Sequence, residues 1–360
     1  MRGALTQCQA AIGQRGWDAV FIAAPEGLPS VNVRYLSGFS GSSGYLLVGR
    51  DACYLLTDFR YTEQAAKEAL GWTVVRHGRP YTTTVADIVR SHGWRRVGYE
   101  ADKVPVAMYR QWEAEIPATF EPMDGLVEDL RLIKTPAEVA AIRRAAETAD
   151  RAVLEILPTL RGRRERDAAL DLEMAMRRGG AERLAFSTIV VSGVRGSLPH
   201  GQPSDKVMET GELVTIDFGA MMDGYHSDET ITVALGQPAP KLREMFRIVQ
   251  EAQQAGISRV APGTMTHEVD AACREVIARA GYGDYFGHGT GHGVSLQVHE
   301  NPFASALPAP AWRLAPGMTL TVEPGIYVPG VGGVRLEDTL VVTETGAERL
   351  TGLPKDWQTY

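Results

Sequence analysis

The chain has 360 residues, of which 44% are hydrophobic and 22% charged, and its formal net charge is −7 at pH 7. This composition is typical of a globular protein long enough for two domains, and the acidic balance argues against nucleic acid or an anionic membrane as a partner. No apolar run reaches the roughly eighteen residues of a transmembrane helix.

The cysteines and the N-terminal residues predict a cytoplasmic protein. Cys8, Cys53 and Cys273 lie far apart, and none has a Cys or His partner at metal-finger spacing. We therefore expect free thiols in a reducing compartment. The first twenty residues contain no long apolar core and no small-residue cleavage site, so a signal peptide is not expected.

Short apolar strands alternate with helical patterns in the first third of the chain. Helices are predicted over residues 60–70, 82–92 and 105–115. The predicted strands are AVFIAA (19–24), GYLLVG (44–49), CYLLTD (53–58), WTVVRH (72–77) and RRVGYE (95–100). The alternation predicts a layered α/β domain.

The pattern changes near residue 125, where we place the boundary between a domain of residues 1–125 and one of residues 126–360. Thr135-Pro136-Ala137-Glu138 has the form of a capping box with proline at the first helical position. An apolar stripe at spacings of three and four follows it up to Pro158, and this spacing predicts a long helix that is buried on one face.

Asp217 lies in LVTIDFG, a segment that otherwise has the character of a buried strand. A buried carboxylate is costly unless it is paired or holds a cation. A hairpin with its turn centred between Met222 and Asp223 sets Asp217 directly opposite Asp228 on one face. A register shift of one residue would place the two acids on opposite faces.

Glu323 lies in a second hairpin of the same kind. A turn centred on Gly330 in PGVGG sets Glu323 opposite Glu337, although Pro324 must interrupt the ladder. The segments 211–219 and 317–325 share a glycine, an apolar strand, an acid and a second glycine at equal spacing. A duplicated half-domain and a chance likeness of two strands both explain this echo. One acid alone fits a solvated strand edge, whereas two acid-bearing hairpins favour a site.

The segment GHGTGHGVSLQVHE (287–300) contains His288, His292 and His299. Its alternate glycines disfavour a helix and allow close approach of the backbone to a site. VSLQVHE alternates like a strand. If it were extended, His299 would lie roughly 23 Å from His292, so the two can share a site only if the chain bends.

Four carboxylates and one imidazole balance two divalent cations. Oxygen-rich ligands with one nitrogen suit manganese, and iron, cobalt or zinc also fit. Two such ions would lower the pKa of a water between them and polarise a substrate carbonyl.

Six motifs occur in an order that resembles the pita-bread metallopeptidases, which include methionine aminopeptidase, Xaa-Pro dipeptidase (prolidase) and Xaa-Pro aminopeptidase (aminopeptidase P). They are LPHG (198–201), TIDFG (215–219), GYHSDET (224–230), GHGTGHGVSLQVHE (287–300), TVEPGIY (321–327) and GVRLED (333–338). The resemblance implies a creatinase-like α/β N-terminal domain and an α+β pita-bread catalytic domain of the creatinase/aminopeptidase type.

The resemblance also implies roles for individual residues. Two metal ions are expected on Asp217, Asp228, His292, Glu323 and Glu337. Glu323 would in addition move the proton of the attacking water. His200 and His299 would hold the scissile carbonyl and its developing charge, with His288 a further pocket histidine. Arg335 and Tyr327 would orient the ligands.

The first domain narrows the expected activity. YLSGFSGSSGYLLV (35–48) and LLTDFRYTEQA (55–65) resemble Xaa-Pro aminopeptidases more than prolidases, which implies a homodimer acting on peptides with proline at the second position. Arg34 or Arg60 could instead bind a free carboxylate, as a prolidase requires. A metal-free creatinase and a non-enzymatic binding module are further alternatives, and the complete ligand set argues against both.

Overall fold

The computed structural model describes residues 2–28, 30–123 and 125–360, with the Arg2 side chain left aside. The chain forms two compact units, one up to Arg131 and one from Leu132 onward. None of the helices in the described ranges combines the length and apolar character that a bilayer crossing requires. All three cysteines are free.

The first unit is a six-stranded sheet in the order β4-β3-β2-β1-β5-β6. The β1–β2 and β2–β3 pairs are antiparallel, and the β3–β4, β1–β5 and β5–β6 pairs are parallel. The strands are β1 (Ala19–Ala24), β2 (Gly44–Gly49), β3 (Cys53–Thr57), β4 (Thr73–Arg76), β5 (Arg96–Tyr99) and β6 (Thr119–Pro122).

Helices cover both faces of this sheet, so the unit has three layers. Every residue of β1 is buried, because Val20 and Ile22 pack into one core and Phe21 and Ala23 into the other. The helices are α1 (Arg2–Gln14), α2 (Val31–Ser37), α3 (Thr62–Glu68), α4 (Tyr81–His92), α5 (Val106–Glu115) and α6 (Leu126–Leu132).

All five strands and all three helices predicted in this unit are present. The sequence analysis did not identify α1, α2, α6 or β6. It placed the domain boundary at residue 125, whereas the first compact unit extends to Arg131, because Leu126 and Val127 of α6 pack into one of its two cores.

The serine- and glycine-rich segment 39–44 is folded around Phe39, which is buried. A side chain at Gly41 would meet the Phe39 ring at 2.2 Å, so the glycine serves packing as well as freedom of the backbone. Arg60, the candidate carboxylate binder, forms ion pairs with Asp58 at 2.7 Å and Glu26 at 2.5 Å.

The second unit contains two helix pairs and several small antiparallel sheets. Its helices are α7 (Pro136–Ile156), α8 (Glu165–Arg178), α9 (Pro240–Ile257) and α10 (Thr266–Arg279). Its strands are β7 (Arg183–Leu184), β8 (Ile189–Ser192), β9 (Leu213–Phe218), β10 (Ala220–Met222), β11 (Tyr225–His226), β12 (Glu229–Ala234), β13 (Gly291–Gly293), β14 (Glu300–Ala304), β15 (Thr319–Val322), β16 (Gly325–Val328), β17 (Gly332–Arg335), β18 (Asp338–Val342) and β19 (Ala347–Arg349).

Each helix pair covers one acid-bearing hairpin. One core joins α7 and α8 to β9 and β12, and the other joins α9 and α10 to β15 to β18. Gly211 and Gly317, the first residues of the two echoing segments, both have left-handed φ values, +93° and +87°. The echo thus corresponds to two similar halves, which is the pita-bread arrangement of an α+β domain.

The long helix α7 begins as predicted. The Thr135 hydroxyl accepts the Glu138 N–H, and the Glu138 carboxylate accepts the Thr135 N–H at 2.8 Å, which completes the capping box. Ile142, Ala146, Ala149, Val153 and Ile156 of the predicted stripe are buried.

Candidate metal centre

The first hairpin places its two acids on one face, but in a different register from the predicted one. Asp217 pairs with Thr230 rather than with Asp228. The turn is centred between Asp223 and Gly224, whose φ values of +52° and +80° are those of a two-residue turn with both central positions left-handed. Asp228 lies two residues before Thr230 and therefore reaches Asp217 diagonally.

The second hairpin has the predicted register. Val322 pairs with Asp338 in the β15–β18 ladder, and Gly325 pairs with Arg335 in the β16–β17 ladder. Pro324 interrupts the pairing between them, and the register on both sides sets Glu323 opposite Glu337. A bridge between Thr230 and Glu337 joins this hairpin to the first one.

The histidine-rich segment bends, so the predicted strand over VSLQVHE is wrong. β13 and β14 are antiparallel, with Gly293 opposite Glu300, and the residues between them form a compact loop. Val294 and Leu296 are buried without an extended backbone. The bend brings the rings of His292 and His299 to 4.2 Å between centroids, so both reach one site.

Two of the glycines in this segment allow strands to approach closely. A side chain at Gly291 would lie 1.8 Å from the Thr321 carbonyl oxygen, and one at Gly293 would lie 2.4 Å from the Asn301 carbonyl oxygen. The alternate glycines thus hold His292 against β15, where the Thr321 hydroxyl accepts the His292 N–H at 2.9 Å.

All five predicted ligand residues come together in two overlapping groups. Carboxylate oxygens of Asp217, Asp228 and Glu337 lie within 4.8 Å of one another. A ring nitrogen of His292 and carboxylate oxygens of Glu323 and Glu337 lie equally close, so Glu337 belongs to both groups. A third combination joins Asp228 and His292 to the exposed His299. Overlap through one shared carboxylate is the arrangement that two neighbouring cations require.

The electrostatics of the cluster call for added positive charge. Burial, and then the charge of a neighbouring carboxylate, raise the pKa of Asp228 and of Glu337 well above the ordinary carboxyl range. Burial alone would also raise the pKa of Glu323, but a hydrogen bond from His292 and its charge outweigh burial and lower that pKa. Burial opposes a charge on His292, yet Glu323 raises the pKa of this imidazole.

The donor atoms fit divalent cations. Among the described residues, no donor hydrogen-bonds the buried Oδ1 of Asp217, which is expected of an atom that serves as a metal ligand. Arg335 donates to the other oxygen, Oδ2. The four carboxylates carry more negative charge than this single guanidinium balances. Together with one imidazole they form an oxygen-rich ligand set with one nitrogen, which suits Mn²⁺ and similar ions.

Tyr327 links the predicted supporting residues. Its hydroxyl lies 2.9 Å from Nε2 of His288 and accepts Nη1–H of Arg335 at 3.1 Å. Arg335 in turn contacts Asp217, and its Nε–H donates to the Thr230 hydroxyl at 3.2 Å. Burial lowers the pKa of His288, which keeps this imidazole neutral.

The cluster lies at the base of a pocket of about 390 Å³, which matches a short peptide better than a folded chain. His200, His288 and His299 all line it, as predicted. The sequence analysis did not identify the apolar and amide lining residues Phe186, Ile189, Gln202 and Phe303. It also did not identify Thr230, whose hydroxyl donates to Glu337 at 2.7 Å. Thr230 could have been found from its place two residues after Asp228.

Comparison with known families agrees with this geometry. A family model described as metallopeptidase family M24 matches residues 140–344, more than half of the chain. The chain belongs to metallopeptidase family M24. A second model, the creatinase/prolidase N-terminal domain, matches residues 5–133. Members of this family bind divalent metals, and the acid and histidine cluster could hold such ions.

Three relatives within this family are similar over nearly their whole length. The chain is 41% identical to a Xaa-Pro dipeptidase of Pyrococcus furiosus over 93% of each chain. A solved Xaa-Pro dipeptidase from Bacillus anthracis is 41% identical with a TM-score of 0.95, covering 100% of this chain and 99% of that one. A solved X-Pro aminopeptidase from Thermotoga maritima is 36% identical with a TM-score of 0.91, covering 96% and 98%.

A buried group of ion-paired side chains, which was not predicted from the sequence, adjoins the candidate metal ligands. Lys355, whose side chain is 4% exposed, pairs with Glu229 and, at 3.1 Å, with Asp338. These acids directly follow the candidate ligands Asp228 and Glu337 in the chain. Burial alone would lower the pKa of Lys355, but the charges of Glu229 and Asp338 raise it.

Replacing Lys355 with methionine is expected to lower the free energy of unfolding by about 3–5 kcal/mol, because the buried Glu229 loses its cationic partner and the buried Asp338 is left with Arg349 at 3.4 Å. Lys67→Met is the matched control, since Lys67 and its partner Glu63 are 72% and 84% exposed, and such a pair contributes about 0–1 kcal/mol. Guanidinium unfolding of both variants measures the difference. Equal shifts in the unfolding midpoint would show that the buried group adds nothing.

Proposed function

We propose that the chain is a Xaa-Pro exopeptidase that uses two divalent cations, with manganese the first candidate. The observation that carries this proposal is the overlap of the two ligand groups through Glu337, at the base of a peptide-sized pocket. One cation would be held by Asp217 and Asp228 and the other by His292, with Glu323 and Glu337 shared between them. Such cations, when bound, activate a water and polarise a carbonyl.

The side chains around the cluster would act on the substrate and its proton. Glu323, whose pKa is lowered by His292, is ready to accept the proton of the attacking water. Burial and the charge of His292 lower the pKa of His299, so this neutral ring can donate a hydrogen bond to the scissile carbonyl. His200 lines the same pocket and is exposed to substrate. Arg335 and Tyr327 would hold Asp217 and His288 in place.

We place dipeptidase activity first, because two of the three relatives described above are named Xaa-Pro dipeptidases. The sequence analysis favoured an aminopeptidase, and one observation keeps that activity as the second candidate. Among the described residues that line the pocket, Arg335 is the only arginine or lysine, and it is already paired with Asp217. A dipeptidase must bind a free carboxylate beyond proline.

The comparison of Ala-Pro, Ala-Pro amide and Ala-Pro-Ala distinguishes the two activities. A dipeptidase should lose about 10- to 100-fold in kcat/KM on the amide, since a hydrogen bond to a charged group contributes about 1.5–3 kcal/mol. It should also cleave the tripeptide poorly. Equal or faster cleavage of the amide and the tripeptide would establish the aminopeptidase instead. Light scattering during the same work tests the proposed homodimer.

Replacement of His292 and replacement of His299 are expected to have different effects. His292→Ala should lose bound metal, because His292 is buried among Glu323 and Asp228. His299→Ala should keep its metal and lose about 10²–10³-fold in kcat, as on removal of an oxyanion donor. Elemental analysis beside steady-state rates measures both. Metal loss in both variants would mean that the combination of Asp228, His292 and His299 holds the ion, and metal loss in His299→Ala but not in His292→Ala would reverse the two assignments.

A further inference from the structure

A single buried carboxylate lies at the base of the loop that carries His200. Glu165 is the first residue of α8 and is fully buried. Its Oε1 accepts the N–H and hydroxyl of Ser192 at 2.8 and 2.9 Å. Its Oε2 accepts the N–H and hydroxyl of Ser204 at 3.1 and 2.7 Å, and Nε–H of Arg195 at 3.0 Å. Five donors thus converge on one side chain.

These donors come from both ends and the interior of the loop 193–203. The ends are already fixed by backbone bonds, because Ser192 pairs with Val214 in the sheet and the Ser204 carbonyl accepts the Arg166 N–H at 3.1 Å. A carboxylate that only closed the loop would therefore be redundant. The attachment that backbone hydrogen bonds do not supply is the hydrogen bond from Arg195, inside the loop, to Glu165.

Arg195 carries this attachment across the loop to the neighbourhood of His200. While its Nε–H is held by Glu165, its Nη2–H donates to the Gln202 carbonyl at 2.6 Å. On the other side of His200, the Pro199 carbonyl accepts Nη1–H of Arg335 at 3.0 Å. The His200 peptide is bracketed by these two guanidinium groups.

Two apolar side chains of the loop contribute little packing. Val194 and Leu198 are 55% and 47% exposed, so they restrain the backbone around them only weakly. Gly196 packs against the Gly333 backbone, where a side chain would lie 3.0 Å from the Gly333 nitrogen. That contact and Arg335 fix one side of the loop, and Glu165 with Arg195 fixes the other.

We propose that Glu165 is a positioning residue that acts through Arg195 to set the place of His200 in the pocket. This inference rests on the proposed function, in which His200 faces the substrate. Glu165 touches neither substrate nor cation. Its effect on the reaction should therefore disappear when His200 is absent.

A double-mutant cycle in the metal-loaded enzyme tests this dependence. Glu165→Gln keeps the shape of the side chain but replaces one acceptor oxygen with an NH2 donor. It therefore cannot accept hydrogen bonds from both Ser192 and Ser204. It should lower kcat about 10- to 100-fold, the effect of a small displacement of a reacting group, with metal content unchanged. In the His200→Ala background the same change should cost less than about twofold, which is within the usual deviation from additivity in such cycles.

A second variant and a second readout guard against a simple folding defect. Arg195→Met leaves Glu165 with its four serine bonds and should lower kcat in the same direction. Amide hydrogen exchange should accelerate over residues 196–202 in both variants and not in α9. Glu100→Gln is the control, a buried carboxylate of the first unit bonded to Asn32 and Ser30, and it should affect neither kcat nor exchange in the loop.

Two results would overturn the inference. One is an equal loss from Glu165→Gln with and without His200. The other is a native rate for His200→Ala, which would remove the group that Glu165 is said to place. A wild-type protein that cleaves no Xaa-Pro peptide would contradict the proposed function. In that case hydrogen exchange still tests the inference, and unchanged exchange in the loop of the two variants would overturn it.

Discussion

Glu323→Gln is expected to lower kcat about 10²–10⁴-fold, the usual contribution of a positioned general base. The amide keeps the shape of the side chain but cannot accept the proton of the attacking water. Glu323 is suited to that role because its carboxylate lines the pocket and lies 3.3 Å from His292, beside the place where the cations would hold the water. The variant should remain folded, since Glu323 lies at the pocket rather than in a core.

The control for this change is Glu251→Gln on α9, whose side chain is 54% exposed and pairs with Arg247 on the same helix. Metal content has to be measured in both variants, because a lost ligand would also slow the reaction. A near-native kcat in Glu323→Gln with full metal content would remove Glu323 from proton transfer.

Removing the metal with a strong chelator should abolish peptide hydrolysis and destabilise the second unit increasingly as pH rises. Asp228 and Glu337 have pKa values raised well above the ordinary range. The metal-free fold therefore gains stability from their protons at low pH and loses it as pH rises through the raised pKa values. Bound cations replace those protons, so the metal-loaded fold does not suffer this loss.

Calorimetry at several pH values measures the effect as the gap in Tm between metal-loaded and stripped protein. At one fixed metal concentration, chosen as 1,000 times the Kd at the lowest pH, the gap should correspond to about 4 kcal/mol at that pH. It should widen as pH rises, because loss of the competing protons lowers Kd. A gap that is constant or narrows with pH would mean that Asp228 and Glu337 do not exchange protons for cations.

Local patterns were sufficient to predict most of the first unit and to propose the acids of the two hairpins as candidate ligands. Alternating apolar runs identified β1 to β5, and the capping box placed the start of α7, because both signals depend on neighbours in the sequence. The same holds for the acids of the two hairpins, which are conspicuous in apolar strands.

Registers and bends depended on less visible features. The Asp217 pairing shifted because Asp223 and Gly224 both adopt left-handed backbone conformations, and sequence alone did not show which two residues centre the turn. The VSLQVHE segment bends although its pattern alternates, because apolar side chains can be buried from a loop as well as from a strand.

The links that hold the site together were beyond sequence reasoning. Glu165 meets Ser204 across 39 positions of the chain, and Lys355 meets Glu229 across 126. No spacing rule connects such residues, since their proximity is created by the tertiary fold. Only the folded chain shows that these residues are in contact.

The most direct test of the account is a crystal of the Mn²⁺-loaded protein measured at the manganese absorption edge. The account predicts two anomalous peaks in each chain. One should lie against Asp217 and Asp228 and the other against His292, with oxygens of Glu323 and Glu337 reaching both. A single peak among Asp228, His292 and His299, or no peak in a fully active protein, would contradict it.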